Sequence, residues 1–496
     1  MLKSDEFKKP LIHKRADAAY TATVLQDESA FQGYRVKRIE KVHFPIILDK
    51  DELIFDFGNH YTGYLHIELE NGTDSHIADS PTNIAFEFAE MPIELMEEPD
   101  RSRRALSFGW AQKDYKTIPF MPYSGSLERR YAFRYLRIKR TDAVNFPVKI
   151  TALYIDSVSA VDLNAAAHGN AADLLLKKID AMCLNTLKEC EQEIFEDGPK
   201  RDRRLWIGDL RLQALVDYVS FGNIDLIKRC IYLFAEHLNE KGVVAPCVFP
   251  DTPPYVDQFI YMDYALCFIL CLYDYYVNTG DKELIAELYD TAEYQVKYAE
   301  KHFDRENGKI DIPVFIDHGK LDKTIAALGF FIYSLKRMTV LADALECDTK
   351  WLSDLIKDSE KAIMKYYSED KGLFVAPDGE ISYHSQVWAA LSEVLDKNKN
   401  AELLSRIADC GSAVKISTPF MQHYFLEALY GCGMINEAVK LIKSFWGAML
   451  NAGFDCCPEC FVPGDDRFSP YCNPMLNSAC HAWSCSAAYW IRKYGN

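Results

Sequence analysis

Two hydropathy textures divide the chain near residue 160. Before it, apolar and polar residues alternate in short runs: Val36 to Phe44, Leu53 to Phe57 ahead of Gly58, and Tyr64 to Leu69 ahead of Asn71-Gly72. Ile84 to Phe88, Tyr131 to Ile138 and Val148 to Ile155 continue in the same style. A period of two is what a strand with one buried face requires, and Asn-Gly after such a run signals a hairpin. Many short strands with turn residues between them predict a β-sandwich over residues 1–160.

A small-residue joint, Ala165-Ala-Ala-His-Gly-Asn-Ala-Ala172, follows. Apolar positions then recur at helical spacing to the C-terminus. About twelve helical patterns begin near residues 171, 206, 223, 257, 281, 322, 349, 383, 399, 419, 434 and 477. Asn278-Thr-Gly280-Asp281 ends one and caps the next, and Gly431-Cys-Gly433 ends another. Twelve helices without intervening strands suit an (α/α)6 barrel over residues 161–496, six inner and six outer. A helical solenoid would need a fixed repeat period, and none is present. The long interruptions at 193–206, 242–256, 304–321 and 453–476 are expected at the barrel mouth, where sites usually sit.

Composition narrows the function. The net charge of −17, with cations scattered, argues against nucleic acid or an anionic membrane as partner. No apolar run of membrane-span length stands out, the most apolar stretch being Tyr264 to Leu272. Residues 1–20 are charged and lack the apolar core of a secretory signal, so a cytoplasmic location is expected. Aromatic residues make up 13% of the chain, an excess that suits a carbohydrate cleft because sugar faces stack on rings. Fifteen cysteines in such a chain are expected to be mostly buried free thiols. Cys457-Pro-Glu-Cys460 could ligate zinc, but a second C-x-x-C at zinc-site spacing is missing.

One stretch concentrates chemistry: Asp197-Gly-Pro-Lys-Arg201-Asp202-Arg-Arg-Leu-Trp206-Ile-Gly-Asp209. Three carboxylates and four cations beside a Trp read as a loop feeding a helix. Carboxylates among arginines can be tuned to different pKa values, which acid–base chemistry requires. The plainer alternative is an N-capping loop laced with salt bridges. A second stretch comprises Phe454-Asp-Cys-Cys-Pro-Glu459, Ser469-Pro-Tyr471 and Ser478-Ala-Cys-His481-Ala-Trp483-Ser484. Asp263 and Asp317 interrupt apolar stretches and read as helix caps or sugar ligands.

These two stretches, in this order, resemble signatures of the α-L-rhamnosidases of glycoside hydrolase family 78. The first is similar to that family's Asp-Cys-Pro-x-Arg…Trp-x-Gly-Asp, and the second to its Phe-Trp-Glu-x-Tyr and Cys-His-Ala-Trp-Ser. Asp56-Phe-Gly58…Tyr61-Thr-Gly-Tyr64, Asp263-Tyr-Ala-Leu and His423-Tyr-Phe-Leu-Glu-Ala-Leu are looser likenesses. Three departures stand out: Gly198 for Cys, Asp202 for the family's acidic Glu, and Pro458 for the Trp beside the base. Many members also carry a further C-terminal β-sandwich, and a compact form without it is expected here.

The resemblance implies an exo-acting, inverting glycosidase that releases terminal α-L-rhamnose, with Asp202 as general acid and Glu459 as general base. Asp197, Arg201, Trp206, Asp209, Asp263, Trp388, His481 and Trp483 would bind the sugar, although the tryptophans and His481 taken singly read as core residues. The chemistry needs no metal or organic cofactor, and the partner would be a rhamnose-containing glycoside or oligosaccharide, with a homo-oligomer possible. The alternatives are a non-catalytic carbohydrate-binding homologue, or an exo-hydrolase on the same barrel acting on another sugar.

Overall fold

The structure is a computed structural model that describes residues 2–48, 52–73, 81–102, 106–142, 146–250 and 253–495. Its first part is an antiparallel assembly of ten strands: β1 (Ile12–Asp17), β2 (Tyr20–Gln26), β3 (Tyr34–Lys41), β4 (Ile46–Leu48), β5 (Glu52–Asn71), β6 (Thr82–Ala89), β7 (Lys113–Ile118), β8 (Tyr123–Ser126), β9 (Tyr131–Arg140) and β10 (Val148–Ser159). The main path runs β1-β10-β5-β9-β6-β7, with β2 and β8 also paired to β5. Alternate residues such as Phe55, Leu65, Ile67 and Leu69 of β5 meet Phe133, Leu136 and Ile138 of β9 in one apolar layer.

Two local expectations are corrected. Gly58 does not end a strand, because β5 runs through it by a register shift between Asp56 and Tyr61. Gly58 supplies φ +84°, a conformation that costs glycine little. Asn71-Gly72 is not a hairpin turn between β5 and β6, since β6 pairs with β7 and β9 instead. Gly72 donates its N–H to Pro147 O at 2.7 Å.

The second part contains, among the described residues, twelve helices of eight residues or more. They are α1 (Leu174–Cys190), α2 (Ile207–Tyr218), α3 (Ile224–Glu236), α4 (Met262–Thr279), α5 (Lys282–Lys301), α6 (Thr324–Ala344), α7 (Lys350–Ile363), α8 (Tyr383–Leu391), α9 (Lys397–Asp409), α10 (Pro419–Cys432), α11 (Ile435–Asn451) and α12 (Ala487–Tyr494). Even-numbered helices form the inner ring. Every residue from Ile207 to Asp217 in α2 and from Met262 to Leu272 in α4 is buried. The outer α5 buries one stripe, Leu284, Ile285, Leu288, Tyr289, Ala292, Val296 and Ala299, as an amphipathic surface helix does. Inner neighbours pack α2-α4-α6-α8-α10, and a 3₁₀ turn at Ala482–Ser486 ahead of α12 closes the ring against α2.

Ring closure explains two further differences from the sequence reading. α6 is by length and composition apolar enough to cross a membrane, and its apolar character follows from its place in the barrel wall. The pattern expected to turn helical near 477 stays irregular to Ala482, because its backbone groups are committed elsewhere. Ser478 O accepts from Glu459 N at 3.0 Å, and His481 N donates to Cys457 O at 2.8 Å. Ala482 N donates to Asp197 O at 2.8 Å.

Strand ends of the first part press on the mouth of the barrel. Arg134 of β9 reaches Asp455 at 2.6 Å, and Arg130 reaches Glu196 at 2.6 Å. Lys200, fully buried, donates to Glu94 Oε2 at 2.7 Å and to Asn477 O at 3.0 Å. A buried ammonium persists only when so compensated, which fixes the chemically dense loop against both the helical turn that follows β6 and the C-terminal loops.

Candidate active site

The loop at 197–206 is shaped by its own first residue. Asp197 accepts the backbone N–H of Asp202 at 3.1 Å and of Arg204 at 3.0 Å. Gly198 is required by close approach, since a Cβ there would lie 2.4 Å from Arg201 O and 2.9 Å from Ser478 Oγ. That accounts for glycine at the position where the resembling signature has cysteine. Arg203 turns away, donating to Pro199 O and Arg130 O at 2.7 Å each. Only Arg201, at 3.8 Å, and Arg204, at 3.6 Å, approach the Asp202 carboxylate among the described cations.

A cavity of about 180 Å³ opens beside this loop. It gathers eight of the ten expected site residues, Asp197, Arg201, Asp202, Trp206, Asp209, Glu459, His481 and Trp483, and adds Tyr261, Tyr264, Phe315, His318 and Tyr471. Tyr264, Phe315 and Trp483 make an aromatic wall, with Phe315 edge-on to Tyr264 at 5.4 Å and stacked toward Trp483 at 6.3 Å. Trp483 Nε1 donates to Glu459 O at 2.8 Å, which ties that wall to the Glu459 loop.

The two remaining residues lie elsewhere, and both expectations are corrected. Trp388 is buried in the barrel core against Phe330, Tyr333 and Tyr424, because its position on α8 faces the neighbouring inner helices. Asp263 is spent on backbone: its carboxylate accepts Phe315 N at 2.9 Å and Ile316 N at 2.7 Å. It positions the loop that brings Phe315 and His318 to the cavity. Asp317 is also structural, bridging His384 Nε2 at 2.7 Å and Thr418 Oγ1 at 2.6 Å. The aromatic residues missed in sequence had a faint signal. Tyr471 belongs to the Ser-Pro-Tyr word and Tyr264 follows Asp263, but nothing local marks which aromatics face a cavity.

The electrostatics separate the carboxylates. Burial and the Asp197 charge push Asp202 up to about 6, against the pull of Arg201 and Arg204. Burial also presses upward on Glu459, but Arg201, His481 and the Tyr471 hydroxyl outweigh it and hold it below the usual carboxylate range. Arg201 donates to Glu459 Oε2, Tyr471 donates to Oε1 at 2.5 Å, and the guanidinium lies 4.4 Å from the Tyr471 ring. Asp197 is shifted upward by burial, yet His481 and the two backbone N–H groups leave it below its ordinary value. Asp209 is raised well above its ordinary value by burial and by the Asp197 and Glu459 charges. His481 lies 3.6 Å from each of Asp197 and Asp209, and these anions overcome burial to raise it. Arg201 Nε, Asp209 Oδ1 and His481 Nδ1 are buried with no hydrogen-bond partner among the described residues. Such orphaned atoms are costly unless a polar ligand meets them.

A six-hairpin barrel with paired, oppositely tuned carboxylates at its mouth defines a glycoside hydrolase. Residues 166–494 match the bacterial alpha-L-rhamnosidase 6 hairpin glycosidase domain, and residues 19–157 match the glycosyl hydrolase family 78 alpha-rhamnosidase N-terminal domain. The chain therefore belongs to the family 78 α-L-rhamnosidases. It is 33% identical to a rhamnosidase from Klebsiella oxytoca solved with rhamnose bound, over 99% of this chain and 98% of that one, with a TM-score of 0.94. The family 78 rhamnosidase of Bacillus sp. GL1 aligns over 94% of this chain and 50% of that one at 21% identity, TM-score 0.79. The Streptomyces avermitilis α-L-rhamnosidase complexed with L-rhamnose covers 98% of this chain and 44% of that one at 16% identity, TM-score 0.70. The last two likenesses bear on the fold alone. No curated protein matches the chain.

Proposed function

We propose that this glycoside hydrolase removes single terminal α-L-rhamnosyl residues with inversion of configuration. The observation that carries the reading is the division of labour between two carboxylates of one cavity, Asp202 raised to about 6 and Glu459 held low. A raised carboxyl can donate a proton near neutral pH, and an ionised one can accept. Asp202 protonates the glycosidic oxygen as the bond to the anomeric carbon breaks. Glu459 takes a proton from the water that attacks that carbon from the opposite side. Turnover leaves Asp202 ionised and Glu459 protonated, and exchange with solvent resets both.

One Arg201 amino group donates to Glu459 Oε2 and the other lies 3.8 Å from Asp202 Oδ1, so the two carboxylates face the same guanidinium. That favours the wide spacing of inverting pairs, roughly 6.5–9.5 Å. Exo action is supported by a cavity of about 180 Å³, small enough to favour one ring over a chain. Asp197, Asp209 and His481 offer adjacent polar atoms to vicinal hydroxyls, and the aromatic wall offers a face for the ring. Rhamnose as the sugar rests on family membership and on the rhamnose bound in the Klebsiella enzyme.

The test is a panel of aryl glycosides, with the first-formed product anomer followed by NMR. Aryl α-L-rhamnoside should be cleaved in preference to the other sugars, giving the β-anomer first. Preference for another sugar would overturn the substrate, and the α-anomer appearing first would overturn the acid–base assignment.

A further inference from the structure

Behind the cavity, where the strands meet the barrel, His60 of β5 faces two cysteines from the C-terminal loops. One ring nitrogen of His60, Cys456 Sγ and Cys480 Sγ all lie within 4.8 Å of one another, and all three residues are buried. The histidine is already held by its other nitrogen: Nε2 lies 3.0 Å from Glu90 Oε1. Glu90 in turn accepts Ala479 N at 2.6 Å and has the Lys200 ammonium at 3.6 Å, which marks it as an ionised acceptor. It therefore engages Nε2 and leaves Nδ1 as the ring's other ligand atom.

That nitrogen has no hydrogen-bond partner among the described residues, and neither does Glu189 Oε2, a buried carboxylate oxygen 3.9 Å away. The two are too far apart for a hydrogen bond and close to the separation of two ligands on one ion. A carboxylate fixing a histidine whose other nitrogen points at thiols is the outer-shell arrangement of metal sites. Around it, Asn185 Nδ2 lies 3.2 Å from Cys456 Sγ, and the Cys190 thiol is 4.0 Å from Cys480 Sγ.

We propose that His60, Cys456 Sγ and Cys480 Sγ bind one structural zinc ion, with the Glu189 carboxylate, 3.9 Å from His60 Nδ1, closing onto it as the fourth ligand. Soft thiolates with imidazole and carboxylate in a closed, buried site select zinc, which takes four ligands tetrahedrally. On binding, the two thiols release their protons to solvent and no electron is transferred. The ion ties β5 and α1 to the loops holding Glu459 and His481, and so positions them without entering the reaction. The sequence did not show it because the ligands are spread over four distant segments. The C-x-x-C is not involved: Cys457 packs on Cys183 at 3.7 Å, and Cys460 lies by His318 and Glu459.

The untagged full chain, produced with zinc and purified under reducing conditions without chelator, should hold about one zinc per chain by elemental analysis. Cys456→Ser/Cys480→Ser should hold almost none, whereas Cys347→Ser, at an exposed cysteine, should be loaded normally. Because the double variant can fail to fold, the wild-type chain is also stripped and reloaded with cobalt(II). The cobalt form should show thiolate charge-transfer absorption and strong tetrahedral ligand-field bands. Wild-type protein below about a tenth of an equivalent after zinc exposure would overturn the site and leave a plain buried imidazole–thiol cluster. Cobalt spectra lacking thiolate bands, or full zinc in the double variant, would do the same.

Discussion

One oxygen of Asp197 accepts the backbone N–H of Asp202 at 3.1 Å, so the anion that shapes the loop also sits beside the residue best suited to donate a proton. Its charge is, after burial, the main cause of the raised Asp202 pKa. Asp197→Asn keeps an acceptor but removes that charge, so the Asp202 pKa should fall from about 6. The acid must be protonated to work, and activity is lost as pH rises through its pKa. The basic limb of kcat/KM should therefore move to lower pH in the variant. The acidic limb, set by Glu459 below the usual carboxylate range, should move less. A basic limb that stays in place would assign it to another group, with Asp209 next in line.

The roles of Asp202 and Glu459 separate by leaving group. Asp202→Asn should reduce turnover of natural glycosides by about 10²–10⁴-fold and spare an activated aryl rhamnoside, which needs little protonation. Glu459→Gln should impair both substrates alike, because water must be activated in either case. Equal and mild losses in the two variants would remove both residues from catalysis.

Burial and the Asp197 and Glu459 charges raise Asp209 well above its ordinary value, in the direction of its neutral form. A neutral carboxyl and an amide are close in shape and charge, so Asp209→Asn should be better tolerated than Asp197→Asn. The expected signature is a raised KM with kcat within about tenfold of the wild type. A collapse of kcat matching that of Asp202→Asn would mean that Asp209 carries the proton.

Two tryptophans should respond in opposite ways. Trp388→Ala opens a core cavity and should cost about 3–5 kcal/mol of stability, leaving KM of the folded fraction unchanged. Trp483→Ala should raise KM, because its ring lines the sugar cavity. Paired thermal melts and kinetics distinguish the two.

Gly198 offers a test of loop geometry. Gly198→Ala places a methyl group 2.4 Å from Arg201 O, a backbone atom that cannot swing aside. The loop must shift, at about 1–3 kcal/mol, carrying Arg201 and Asp202 out of register. Activity should fall well before the melting temperature does; unaltered kinetics would show that the loop has slack.

The amino-acid pattern alone determined the division into strands and helices, the start of nearly every barrel helix, and the two stretches that converge on the cavity. These are properties of local periodicity, turn chemistry and residue type, which neighbours in sequence carry. The sequence could not decide where a side chain ends up once helices close into a ring. Trp388 and Trp483 are equally aromatic, yet one faces neighbouring inner helices and the other the mouth. Asp263 reads as a possible ligand until the backbone of Phe315 and Ile316 is seen to consume both its oxygens. Tertiary structure also set the protonation states, because burial and charges from residues up to several hundred positions apart decide them. The same holds for His60, Glu189, Cys456 and Cys480, which share no local spacing and meet only where the sheet closes on the barrel.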